Sequence, residues 1–181
     1  MNPYNGHRSR HGAGNAGRFS PEIMKEIIDF LGIGEEDSIL DLGGGDGFFS
    51  KGFLSVSKNV TLLDKVDSNF KELETMGINT IIGDMCKFHD REFDTVFMAN
   101  VYHDAAYECH DSIRNNLRLI AKKNVAILDF KPDASGFGPP SWLRLSKQQV
   151  ISDLVSSGFK LVREKDLEYH YLLIFEKSEL R

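Results

Sequence analysis

The residues Asp41-Leu42-Gly43-Gly44-Gly45-Asp46-Gly47 place an acid, three alternating glycines and a second acid directly before a helix-like run, a spacing suited to holding a charged ligand against backbone. Gly43, Gly45 and Gly47 tolerate positive φ and carry no Cβ, so a ligand can approach the chain closely. Asp41 closes a buried-strand pattern with Ile39, Leu40 and Leu42 and contributes a fixed negative charge or acceptor. Three later apolar runs also end on polar residues: Val60 to Leu63 on Asp64, Thr80 to Ile82 on Gly83-Asp84-Met85, and Phe93 to Ala99 on Asn100. An acid at the end of a second strand can accept hydrogen bonds from ribose hydroxyls. A carboxylate at position 84 can accept an exocyclic amine while Met85 covers a ring face. Beyond Asn100, Tyr102 and His103 stand where an open α/β sheet binds ligands, and an imidazole titrating near neutrality is a candidate general base.

The glycine spacing separates two cofactor classes. A dinucleotide fold expects G-x-G-x-x-G, with the pyrophosphate on the helix N-terminus. Gly43 and Gly45 fit that pattern, but Phe48 occupies the third glycine position. Asp41 and Asp46 make a poor cradle for pyrophosphate and a better one for a cationic amino acid. The segment Asp41 to Gly47 resembles the first motif of class I S-adenosylmethionine-dependent methyltransferases. Gly83-Asp84-Met85 is similar to that family's Gly-Asp-Ala segment, and Phe93-Asp94-Thr95-Val96 to its fourth strand.

The resemblance implies S-adenosyl-L-methionine as cofactor and S-adenosyl-L-homocysteine as product. It assigns Asp41, Gly43, Gly44, Gly45, Asp46 and Gly47 to the methionine end, Asp64 with neighbouring Lys65 to the ribose, and Asp84 and Met85 to the adenine. Asn100, Tyr102 and His103 would face the transferred methyl, with His103 as the candidate base. Arg18, Arg144, His170 and Tyr171 would contact the acceptor. Within the family, the Gly136 to Pro140 loop, Arg144 and the His170-Tyr171 pair resemble the small type 11 branch related to quinone-biosynthesis methyltransferases. The competing readings are a nicotinamide-dependent oxidoreductase and a cofactor-binding protein without catalysis.

The elements that must position these residues follow from periodicity and punctuation. Ser20-Pro21-Glu22 starts a helix whose Ile23, Ile27, Ile28 and Leu31 share a face. A strand spans 38–42, a crossover helix 48–56, a strand 60–63, a short helix 71–76, a strand 80–82 and a strand 93–100. The segment 100–104 reads as a loop, followed by a helix over 105–121 and a strand over 124–130. This alternation predicts an α/β, Rossmann-like doubly wound sheet with parallel strands and helices on both faces. After the Gly/Pro-rich stretch 131–141, Ser146 caps a helix that Gly158 ends. Strands over 160–164 and 171–176, joined by a short turn, must pair antiparallel. The resemblance implies that this C-terminal β-hairpin inserts against the parallel strands. Residues 1–19 read as a flexible N-terminal arm or lid, and 20–181 as a single domain.

Composition narrows the partners. The chain has 181 residues with 27 acids against 22 Lys and Arg, so its net charge of −5 gives no general attraction for nucleic acid. The expected partner is a small-molecule methyl acceptor, met by a monomer or homodimer. No apolar run reaches the length needed to span a bilayer, and the N-terminus lacks the apolar core of a secretory signal, so the expected location is the cytoplasm. Cys86 and Cys109 are too few for a disulfide framework and read as packed thiols in a reducing compartment. No metal site is expected, because His103, Asp104 and His110 lack further ligands.

Overall fold

The computed structural model describes residues 19–134 and 136–178. Seven strands form one sheet in the order β3-β2-β1-β4-β5-β7-β6. They are β1 (Ser38–Leu42), β2 (Asn59–Asp64), β3 (Asn79–Ile82), β4 (Phe93–Ala99), β5 (Ala121–Phe130), β6 (Phe159–Asp166) and β7 (His170–Lys177). The first five pair parallel among themselves, whereas β7 runs antiparallel to β5 and to β6. Three residues join β6 to β7, and so short a connection permits only antiparallel pairing.

Five helices cover the two faces: α1 (Pro21–Leu31), α2 (Phe48–Phe53) and α3 (Phe70–Thr75) on one, α4 (Tyr102–Ile120) and α5 (Lys147–Ser156) on the other. Alternation along the strands divides the core between them. Ile39, Leu62, Phe97, Ala126 and Leu172 pack with Ile27, Phe49, Phe53 and Leu73, while Leu40, Leu63, Met98, Ile127 and Leu173 pack with Ile113, Leu117, Val150 and Leu154. A period of two in the strands meeting a period of 3.6 in the helices produces this three-layer arrangement.

Local chemistry sets the element ends. The Ser20 hydroxyl accepts from the Ile23 N–H at 3.3 Å to start α1. Ser146 and Gln149 form a capping box that starts α5. Asp94, at the start of β4, accepts from the Ser38 N–H at 2.9 Å and from the Ser38 hydroxyl at 2.7 Å. Those hydrogen bonds hold its carboxyl at about 2, and they pin β1 to β4 at the edge opposite the ligand loops.

Two expectations require correction. The segment 100–104 is not all loop, because α4 already begins at Tyr102. The cap comes from a strand remote in sequence: Asp129 in β5 accepts the His103 N–H at 3.0 Å. A carboxylate at the positive end of a helix stabilises its first turn. The cysteines are likewise not free thiols, since Cys86 and Cys109 form a disulfide. The connection from β3 to β4 carries no helix, and its loop lies against α4, which brings their Cα atoms to 5.9 Å.

Candidate active site

The loop between β1 and α2 folds over the carboxyl edge of the sheet. Backbone N–H groups of Gly43 and Gly44 donate to the Leu63 carbonyl at 2.7 and 3.3 Å, and Gly47 donates to Gly44 at 3.0 Å. Asp46 accepts the Phe48 N–H at 3.1 Å and so caps the start of α2. The glycines have different physical reasons. At Gly47, φ is +74° and a Cβ would lie 2.5 Å from Leu73, so glycine lets the loop pack on α3. At Gly45, φ is +55° and a Cβ would meet no atom within 4 Å, so this residue faces open space with its backbone bare.

Asp41 lies beneath the loop, 1% exposed, and accepts the Ser50 hydroxyl at 2.7 Å. Burial raises its carboxyl to about 7 against the lowering effect of the Ser50 hydrogen bonds, and the charges of Asp64 and Asp46 add to the rise. Asp64 accepts the Gly45 N–H at 2.9 Å and the Val66 N–H at 3.0 Å, linking the end of β2 to the glycine loop. Lys65 reaches both Asp84, at 3.5 Å, and Glu108, at 3.8 Å. Asp84 accepts the Cys86 N–H at 2.9 Å, and the Met85 carbonyl accepts from Asn116 of α4 at 3.3 Å. The loop after β3 is therefore held to α4 by an ion-pair relay, a hydrogen bond and the disulfide.

Asn100 ends β4 with φ +60°, the one positive-φ residue besides glycine among the described residues. Its N–H donates to the Leu128 carbonyl at 2.8 Å, and the side chain is buried. Asparagine tolerates this left-handed conformation, which turns the chain sharply from β4 into α4.

His103 is the most strongly organised polar side chain of the group. Its ring lies 2.8 Å from Asp129 through Nδ1 and 3.5 Å from Asp104 through Nε2. Burial alone would lower the imidazole's pKa. The Asp129 hydrogen bond and charge, with Asp104, outweigh burial and the opposing charge of Arg144, so its pKa stands above the ordinary histidine value. Asp129 was not among the residues singled out from the sequence. The available signal was an acid inside the otherwise apolar run Val125 to Phe130.

Four expected site residues have the following surroundings. Tyr102 is fully buried, with its hydroxyl 3.4 Å from Asp153, and burial together with that charge pushes its phenol far above the ordinary range, which removes it as a base. Tyr171 is fully buried and donates to the Leu145 carbonyl at 3.0 Å, so it is a core residue. Arg144 spreads its guanidinium over carbonyls of Lys131, Ala134, Phe137 and Pro139 and stacks over Phe130, which makes it the staple of the Gly/Pro-rich loop. His170 packs at 4.4 Å from the Phe130 ring and 4.9 Å from Phe19. Phe19 is itself buried, and Arg18 lies outside the described residues. Among the described residues no cluster of three or more His, Cys, Asp or Glu could hold a metal ion.

The sheet order, with its glycine loop after β1, the acid at the end of β2 and an antiparallel β7 between β5 and β6, defines a class I methyltransferase fold. Residues 40–128 match the family model described as a methyltransferase domain. Among solved structures, a SAM dependent methyltransferase from Aquifex aeolicus superposes with a TM-score of 0.73 at 22% identity, covering 84% of this chain and 88% of that one. Two curated relatives match shorter stretches. The ribosomal RNA small subunit methyltransferase A of Malacoplasma penetrans is 38% identical over 74 residues, which are 40% of this chain and 27% of the relative. An uncharacterized methyltransferase of Schizosaccharomyces pombe is 26% identical over 91 residues, which are 47% of this chain and 35% of the relative. The chain thus spans about a quarter to a third of the length of these curated relatives.

Proposed function

We propose that this protein is an S-adenosylmethionine-dependent methyltransferase acting on a small-molecule acceptor. The observation that carries the reading is the convergence of the Gly45 cradle, Asp64 and the Asp84-Met85 segment at the ends of β1, β2 and β3, three adjacent parallel strands. An open α/β sheet binds ligands in that position. The residues fit the cofactor: the bare backbone at Gly45 allows close approach, Asp64 has the placement to accept ribose hydroxyls, and Met85 supplies a polarisable neighbour for adenine. Asp41 supports the loop from below through Ser50 rather than offering an exposed acceptor.

When bound, S-adenosylmethionine supplies a methyl group already activated by a sulfonium, so the protein's main work is alignment and proton removal. Asn100 turns the chain at the methyl end, and His103, anchored by Asp129, is the group able to accept a proton there. Phe48 at the third glycine position and the antiparallel β7 argue against a dinucleotide cofactor. The ribosomal RNA methyltransferase relative raises RNA as an alternative acceptor. A net charge of −5 and the acids around His103 favour a small molecule over a phosphate backbone. Among the described residues no helix is long and apolar enough to cross a membrane.

Calorimetric titration with S-adenosylhomocysteine and, in the same buffer, with NADH tests the reading. Micromolar binding of the former alone is the expected result; binding of NADH alone overturns it.

A further inference from the structure

Cys86 and Cys109, the two cysteines of the sequence, bond two parts of the chain that fold separately. Cys86 directly follows Asp84-Met85 in the connection between Ile82 and Phe93, which holds no helix or strand. Cys109 stands at the one residue of α4 that leaves helical geometry. Beyond it, Ile113, Leu117 and Ile120 fix α4 in the core; before it, the first turn carries His103 on Asp129. The disulfide therefore joins the loop bearing the proposed adenine contacts to the break in the helix that bears the candidate base.

Without that bond, little orients the loop on α4. Its shape is local, since the Asp84 carbonyl accepts the Lys87 and Phe88 N–H groups at 2.9 and 3.0 Å. Gly83 anchors the loop's start to the Asp64 carbonyl at 2.9 Å. Among the described residues, the polar ties to α4 are the 3.3 Å hydrogen bond from Asn116 to the Met85 carbonyl and the Lys65 bridge to Glu108, an exposed pair of a kind worth little in water. Met85 and Phe88 add partly buried apolar contact. Both cysteines are half-buried, so a thiol can reach the bond. With no third cysteine in the sequence, the pair has two states, disulfide and dithiol.

We propose that Cys86–Cys109 is a reversible redox site: the disulfide form holds Asp84 and Met85 in place for the cofactor and the dithiol form releases them, a role that for its ligand rests on the methyltransferase reading. The reductant is a dithiol. One of its thiolates attacks a cystine sulfur, the S–S bond breaks, and the bonding pair leaves on the other cysteine as a thiolate, which takes a proton from water. The reductant's second thiolate then displaces the mixed disulfide and frees the second cysteine thiolate to be protonated in turn. Two electrons thus reach the protein, and the reductant closes as its own disulfide. Exchange with an external disulfide reverses each step. Release lowers affinity because a loosened loop must be ordered again when ligand binds. Asp64 and Gly45 hold each other through their own hydrogen bond, so the loss is several-fold rather than complete.

The experiment uses the full chain in three states: oxidised, reduced with dithiothreitol, and reoxidised with glutathione disulfide, the cysteine state being read by mass after thiol alkylation. Without ligand, amide hydrogen exchange across residues 83–92 should quicken on reduction, with β4 unchanged, and recover on reoxidation. An unchanged loop, a bond that excess dithiothreitol cannot open in the folded protein, or global unfolding on reduction overturns the switch. Calorimetry with S-adenosylhomocysteine should give a dissociation constant several-fold higher for the reduced protein, restored by reoxidation. In Cys109→Ser it should stay near the reduced value whatever the reductant. Failure of S-adenosylhomocysteine to bind in any state defeats the methyltransferase reading, whereas binding with equal affinity in the oxidised and reduced states defeats this inference alone.

Discussion

Cys86 and Cys109 form a disulfide that ties the loop following β3 to α4 at the turn where Cys109 leaves helical geometry, with φ −150° and ψ 43°. The same loop carries Asp84 and Met85, so the covalent tie sits within two residues of the proposed adenine contacts. The cysteines are 23 residues apart, and closing a loop of that size in the unfolded chain stabilises the fold by about 3 kcal/mol in the chain-entropy account. Thermal unfolding with and without dithiothreitol should show a lower midpoint on reduction. Cys86→Ser should match the reduced protein and respond no further to reductant. Its affinity for S-adenosylhomocysteine should fall several-fold; an affinity independent of the tie would detach the loop from cofactor binding.

Asp41 makes stability depend on pH. Its folded pKa, raised by burial to about 7, exceeds the value of an exposed aspartate, so the folded state binds more protons than the unfolded state between those two values. Its contribution is therefore fully present below about pH 4 and is lost as pH rises through about 7. Urea unfolding across that window should show this slope, and Asp41→Asn should flatten it. A slope retained in Asp41→Asn would assign the dependence to another group.

Gly45 and Gly47 should respond in opposite ways to a methyl group. Gly47→Ala forces a Cβ against Leu73 at positive φ and should lower stability by more than about 1 kcal/mol, read from denaturant midpoints. Gly45→Ala meets no protein atom and should lower stability less. Its methyl points into the proposed ligand space, so cofactor affinity should drop about tenfold in calorimetry, the equivalent of roughly 1.4 kcal/mol.

Asp64→Ala removes both the proposed ribose acceptor and the carboxylate that receives the Gly45 and Val66 N–H groups. Hydrogen bonds to a charged group are each worth about 1.5–3 kcal/mol, so affinity for S-adenosylhomocysteine should fall by about tenfold or more. Unchanged affinity would count against the ribose assignment.

His103→Ala should separate catalysis from binding. A general base contributes about a hundredfold or more to turnover, and that loss is expected in kcat with an otherwise folded protein. Cofactor affinity should stay close to that of the unmodified chain. An equal loss in both would make His103 a structural partner of Asp129.

The residues from Ser38 to Ile127 carry their fold in local pattern. Apolar runs ending on Asp41, Asp64, Asp84 and Asn100, separated by glycines and helical repeats, are enough to predict parallel strands with a ligand edge. That is a determination by spacing, because strand period and turn chemistry act within a few residues of one another. The hairpin of β6 and β7 is also legible, since a short turn leaves antiparallel pairing as its one outcome. Tertiary structure decided matters that depend on contacts between distant segments. Tyr171 and Arg144 look polar enough for substrate, but the chain buries the first on the Leu145 carbonyl and uses the second to hold four carbonyls of its own loop. Asp129 looks like one more strand-end acid until β5 sets it beneath the first turn of α4, where it both caps the helix and orients His103. The disulfide has the same origin: it is made by segments apart in the chain, and no periodicity within either segment encodes the other's position.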